Sequence, residues 1–221
     1  MFRFALLMVT FLSGGVATAQ TAPSAADIAS YDGLHLAAHH GDVAQVVSLL
    51  EAGADPDIRD RASRTPAHVA AFASHDDVIT ALAERGADMN ALDNRLYDVV
   101  TIAAVANDPE LVSLAIRLGN SPTLVTSVYD GTALIAAAHL GHYDVVRRLV
   151  DGGAPLDHVN NLGWTALMEA VVLGDGGADH IRTVQILADA GADRAIADRA
   201  GVTPLQHARA RGYAGIAALL E

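Results

Sequence analysis

The chain has no cysteine and no lysine, and only 5% of its 221 residues are aromatic. The first absence removes disulfides, thiol catalysis and cysteine-ligated metal sites together. The second leaves arginine as the whole of the basic complement, 14 residues against 26 acidic ones, for a net charge of −12. A surface with that balance repels phosphate backbones and anionic lipid, so it disfavours nucleic acid and membrane surfaces and leaves cationic partners open. Scarce aromatics, beside a 52% hydrophobic content carried largely by alanine, point to thin helices packed closely and to no large ligand cage. The apolar run from Phe4 to Leu12 is too short to span a bilayer.

That run follows Arg3 and leads through Ser13-Gly14-Gly15 to Ala17-Thr18-Ala19 and Gln20. These are the parts of a secretory signal peptide, with small residues where a signal peptidase cuts. Residues 1–19 are expected to be a cleaved signal, which takes Arg3 away and moves the net charge from −12 to −13. The mature chain is then periplasmic or secreted and has no membrane attachment. Residues 20–30 read as an N-terminal tether, with Pro23 and Ser24 as helix-start chemistry.

Glycines that close successive units fall at Gly53, Gly86, Gly119, Gly153 and Gly191, in steps of 33, 33, 34 and 38. Matching fronts read Asp32-GLHLAA, Thr65-PAHVAA, Asp98-VVTIAA, Thr132-ALIAAA, Thr165-ALMEAV and Thr203-PLQHAR. In each unit a threonine or aspartate can cap a first helix and proline suits its first position. Paired alanines such as Ala37-Ala38 and Ala103-Ala104 allow close helix approach. Apolar stripes such as Val145, Val146 and Leu149 mark a second helix. A helix pair of this size cannot bury its stripe alone, so the units must stack.

On these blocks, and on the Gly-Ala-Asp exits at Gly53, Gly86 and Gly191, the chain resembles the ankyrin-repeat family, and with its signal it resembles the exported bacterial type. The resemblance implies an all-α ankyrin-repeat solenoid of about six helix-turn-helix units with short β-turn tips. The units are expected at 31–60, 61–93, 94–126, 127–159, 160–197 and 198–221, the first and last serving as caps. The third unit departs most, with Asp98 in place of threonine and Asn120 after its glycine. The fifth carries an insertion, Gly174–Asp179, which lacks the alternating oxygen ligands of a calcium loop and reads as a lengthened loop free to touch a partner.

His35, His68 and His207 lie in or beside the block where the family uses histidine to tie adjacent turns. His39-His40 and His139 with His142 do not supply the three or four convergent ligands zinc needs. No serine elbow, phosphate loop or zinc-protease motif is present, so the chain is expected to be no enzyme, with no cofactor, no metal and no catalytic residue. The family resemblance implies instead a concave groove lined by turn tips and the ends of first helices. Carried over unit by unit, it is lined by Tyr31, His39 and His40; Arg61, Arg64 and Phe72; Arg95, Tyr97 and Val105; Tyr129, His139 and Leu140; and Trp164, Val172 and Leu173. Phe72, Arg95, Tyr97, Tyr129, His139, Leu140, Trp164 and Leu173 are the candidate partner-binding residues, because aromatics and arginine dominate interface energetics. The expected function is a monomeric module that holds, protects or regulates a protein partner. The resemblance implies stress resistance as a context, such as protection of catalase. The alternative is a secreted effector or a self-associating structural protein.

Overall fold

The computed structural model describes residues 22–221, so the expected signal peptide lies outside the described residues. Among the described residues all regular structure is helical. A one-turn helix, α1 (Ala25–Ala29), precedes six helix pairs: α2 (Gly33–His40) with α3 (Val43–Glu51), α4 (Pro66–Phe72) with α5 (Asp76–Ala83), and α6 (Val99–Ala106) with α7 (Pro109–Arg117). They continue as α8 (Ala133–Leu140) with α9 (Tyr143–Asp151), α10 (Ala166–Val172) with α11 (Ala178–Asp189), and α12 (Pro204–Ala210) with α13 (Ala214–Leu220). First helices pack side by side in one layer and second helices in another, each pair touching the next. Among the described residues no helix is long and apolar enough to cross a membrane.

Local chemistry sets each unit. Asp98 Oδ1 accepts from the Thr101 N–H at 2.8 Å, and Thr165 Oγ1 does the same for Met168 at 3.2 Å, satisfying donors that a helix start leaves free. Pro66 and Pro204 occupy first positions of their helices, where a missing N–H costs nothing. The exit glycines turn the chain back with φ between 87° and 99°, a conformation that side chains disfavour.

Packing then joins the units. Ala38, Ala70, Ala103, Ala104, Ala137 and Ala138 are fully buried between first helices. Val145, Val146 and Leu149 are fully buried on α9, each such side chain contributing about 1.5–3 kcal/mol. Histidines at the helix–helix breaks tie unit to unit: His75 Nε2 reaches the His39 carbonyl, His142 Nδ1 that of Ala104, and His180 Nε2 that of His139.

Two irregularities of the array have physical causes. In the third unit, Asp98 and Asn120 are both about 1% exposed. Asn120 Nδ2 donates to Asp98 Oδ2 at 2.7 Å while its Oδ1 accepts from the Val100 N–H, so the two unusual residues satisfy each other. The insertion, expected to be a lengthened loop free to touch a partner, keeps Asp175 exposed but is pinned at its base and runs into helix. Asp175 Oδ1 accepts from the Gly177 N–H and meets His180 Nδ1 at 2.9 Å, and the Tyr213 hydroxyl donates to the Gly174 carbonyl at 3.1 Å. Much of the added length becomes helix, giving α11 its 12 residues and a contact with α8.

Candidate partner-binding face

The turn tips share one design, built on a single acceptor. Asp60 Oδ1 takes the N–H groups of Ala62 and Arg64; Asp93 Oδ1 those of Arg95 and Tyr97; Asn160 Oδ1 those of Leu162 and Trp164; and Asp198 Oδ1 those of Ala200 and Val202. These are side-chain turns, which explains the acidic residue or asparagine at that place. Neighbouring tips are laced together: the Asn94 N–H donates to the Ala62 carbonyl at 3.0 Å, that of Asn161 to Tyr129 at 2.9 Å, and Arg59 Nη1 to Leu92 at 2.6 Å.

The tip of the fourth unit differs. Ser127 Oγ replaces the carboxylate, accepting from Tyr129 and Gly131, and the turn closes from the Thr126 N–H to the Gly131 carbonyl. Gly131 therefore takes the place that Arg64, Tyr97, Trp164 and Val202 take elsewhere. Tyr129 falls instead with Ala62, Arg95 and Leu162 on the outer tip and is 53% exposed. The expected line of rings is thus two rows, Tyr97 and Trp164 inside and Tyr129 outside.

Of the other candidates, Arg95, Leu140 and Leu173 are exposed, while Phe72, Tyr97, His139 and Trp164 are half-buried. Phe72 and Tyr97 pack against the core. Leu140 and Leu173 follow one another at the ends of α8 and α10, helices in direct contact.

Tyr31 and Arg64 do not line a groove. Arg64 is 2% exposed; its Nε lies 2.7 Å from Asp60 Oδ2 and its Nη2 3.1 Å from Asp27 Oδ2 on α1. The Tyr31 hydroxyl donates to Asp60 at 2.9 Å, and its ring stacks on His35. Burial and the hydrogen bond to Asp60 push the Tyr31 phenol up. The Ser24 N–H and hydroxyl, with Arg64, hold Asp27 at about 2. Burial works against the Asp60 carboxylate, but the Arg64 N–H and guanidinium and the Tyr31 hydroxyl outweigh it and keep it below the usual range. The segment read as a tether thus supplies a helix that closes the row of tips at its first end.

Glu169 escaped the sequence reading. It is the fourth residue of α10, where the other first helices carry Leu36, Val69, Ile102, Ala136 and His207. Its carboxylate is buried, with Oε1 accepting from Asn160 Nδ2 at 2.8 Å and Oε2 lying 3.4 Å from His139 Nδ1. The signal was visible as a carboxylate in a column that otherwise holds four aliphatic residues and one histidine. Among the described residues no three histidine or acidic side chains are grouped to hold a metal.

The family profile for ankyrin repeats in three copies matches residues 8–94 and 100–198. The Escherichia coli (strain K12) ankyrin repeat protein YahD is 38% identical over 113 residues, half of this chain and 56% of that protein. A Schizosaccharomyces pombe glycerophosphocholine phosphodiesterase is 38% identical over 84 residues, 38% of this chain and 7% of the enzyme. The chain therefore spans little more than half of the first relative and a small part of the second. Among solved structures, an ankyrin repeat domain from Acinetobacter baumannii AYE superposes with a TM-score of 0.78 at 40% identity, covering 85% of this chain and 95% of that one. The ankyrin repeat protein EF0377 gives 0.79 at 31% identity, covering 86% and 98%. With six stacked helix pairs, side-chain-closed turn tips and a profile match over most of its length, this chain belongs to the ankyrin-repeat family.

Proposed function

We propose that the chain is an exported, monomeric, non-enzymatic module that holds, protects or regulates a protein partner in the periplasm, in the service of stress resistance. The family supports the general part of this reading, since ankyrin repeats are protein-interaction scaffolds. The observation that carries it for this chain is the pair of leucines, Leu140 and Leu173, left 40% and 44% exposed at the ends of the packed helices α8 and α10, with Tyr129 and Leu162 53% and 43% exposed at the turn tips of the same two units. Exposed apolar side chains gathered on one face mark interaction sites more often than singles do. The signal-peptide pattern in residues 1–19 supports export.

Two measurements test the reading. Fractionation with N-terminal sequencing is expected to find a chain beginning at Gln20 in the periplasm; a chain retaining Met1 in the cytoplasm refutes export. Cross-linking in the intact cell is expected to join the wild-type chain to one protein, and Leu140→Arg with Leu173→Arg to abolish the product while leaving Tm unchanged. Equal cross-linking by the variant refutes the face.

A further inference from the structure

Four of the six first helices carry a leucine, valine, isoleucine or alanine where α10 carries Glu169, so stacking itself does not call for a charge there. Glu169 is 4% exposed. Taking a carboxylate out of water is expensive unless pairing and hydrogen bonds compensate. Here the compensation is half complete: Oε1 has Asn160 Nδ2 at 2.8 Å, and Oε2 has no hydrogen-bond partner. His139 Nδ1 stands 3.4 Å from Oε2, on a side chain that is itself 40% exposed. A buried polar atom without a partner in a native structure needs a reason.

The surroundings point toward a ligand. Leu173 lies one helical turn beyond Glu169, its N–H donating to the Glu169 carbonyl at 2.9 Å, and Leu140 adjoins His139. Both leucines are exposed. Asn160, which holds Oε1, also holds the Trp164 N–H through its own Oδ1 at 3.0 Å. One carboxylate oxygen without a hydrogen bond thus lies beside a partly exposed imidazole 3.4 Å away, inside the apolar face assigned above to a partner. The chain as a whole carries −12, a balance that favours cationic partners over anionic ones.

We infer that Glu169 is the anchor of that face, receiving the guanidinium of a partner arginine whose neighbours in the partner chain are apolar and rest on Leu140 and Leu173. His139 turns aside to admit it, a side-chain movement of the kind common at interfaces. Arginine suits the place better than lysine, because its flat fork can reach Oε2 while Asn160 keeps Oε1. This rests on the protein-binding reading and adds to it the chemistry of the partner.

The test uses the mature chain, residues 20–221, and peptides selected on it from a random displayed library. Trp164 is the sole tryptophan, so its fluorescence reports the place directly. The selected peptides are expected to share one arginine and to change Trp164 emission. Replacing that arginine by citrulline, or Glu169 by Gln, each weakens binding at least about tenfold, the two changes together no more than either alone. Gln keeps the acceptor for Asn160, so Glu169→Gln is expected to hold or raise Tm; a sharp fall makes the carboxylate structural and overturns the anchor. Peptides that lose binding to Leu140→Arg but share no arginine, or that bind Glu169→Gln at full strength, overturn the anchor and leave the binding face standing. If no peptide is selected, or if Leu140→Arg changes nothing, both fall.

Discussion

At the scale of single residues, the buried polar groups decide how the protein answers to pH. His68 accepts the Thr65 N–H on Nδ1 at 3.1 Å and meets the Tyr97 carbonyl through Nε2 at 2.9 Å, so the neutral ring with its proton on Nε2 is satisfied at both ends. Burial pushes its pKa below 6.5. The unfolded chain takes up this proton as pH falls through 6.5 while the native chain refuses it, so stability is full above 6.5 and declines as pH falls from there toward the native value. His68→Gln is expected to cost about 1.5 kcal/mol at pH 7 and to flatten the fall in Tm between about pH 7 and 5. Thermal melts of both proteins at the two pH values check this, and an undiminished fall in the variant places the acid sensitivity elsewhere. The carboxylates that hold α1 act lower on the scale. Asp27 at about 2 contributes stability that is full above 3.8 and lost as pH falls from 3.8 toward 2. Arg64, which joins Asp27 to Asp60, is needed in two directions at once. Arg64→Ala is expected to cost about 3 kcal/mol and to expose the α1 amides to exchange, because one turn of helix does not persist alone. Arg64→Lys should rescue little, since an ammonium lacks the fork; full rescue with protected α1 amides contradicts this account of the contact.

At the scale of elements, the insertion in the fifth unit shows what a sequence does and does not disclose. The helix pairs were readable because threonine caps, paired alanines and exit glycines are local signals repeated in register. The added residues before α11 were readable as length but not as conformation, because what fixes them comes from elsewhere. Gly176 has φ of +72°, and a Cβ on it would stand 2.5 Å from Tyr213 Cδ1, a ring supplied by the next unit. Gly176→Ala is accordingly expected to cost about 2–3 kcal/mol, combining overpacking with backbone strain. In the presence of Tyr213→Ala the cost should fall to about 1 kcal/mol, the backbone share alone. Urea unfolding of the two single variants and the double variant measures this coupling, and strict additivity refutes the contact. The same reasoning explains the misplaced ring at the tip of the fourth unit. Tyr97 and Tyr129 stand 11 and 10 residues after their exit glycines, close enough to look alike, but Ser127 closes its turn on Gly131 and moves Tyr129 outward. Tyr31 and Arg64 were misjudged for a related reason: nothing near them in the chain announces that α1 folds back to meet Arg64. Glu169, in contrast, could have been found, since an acid in a column of four aliphatics and a histidine is visible without coordinates.

At the scale of the molecule, each unit is stable only through its neighbours, so a defect in the stack and a defect on the face must behave differently. Ala137 has no exposed surface and lies in α8, which packs against α6 on one side and α10 on the other. Tyr129, Leu140 and Leu173 are 53%, 40% and 44% exposed and sit on the rim of the same unit or the next. In an array whose stability is a sum of unit and interface contributions, a larger side chain at Ala137 weakens the interfaces on both sides of the fourth unit at once. Ala137→Leu is expected to cost about 1–3 kcal/mol and to divide urea unfolding into two transitions, as the units before and after the defect lose their coupling. Tyr129→Ser with Leu140→Ser and Leu173→Ser is expected to leave a single transition with its midpoint and slope nearly unchanged, because none of the three side chains packs against the buried core, while partner cross-linking disappears. Circular dichroism in urea and the cross-linking yield, measured on both variants, separate the two roles. If the triple variant unfolds in two steps, those side chains belong to the stack and the face has been drawn in the wrong place. If Ala137→Leu unfolds in one step with its midpoint unchanged, the close approach of α6, α8 and α10 is not what joins the two halves of the array.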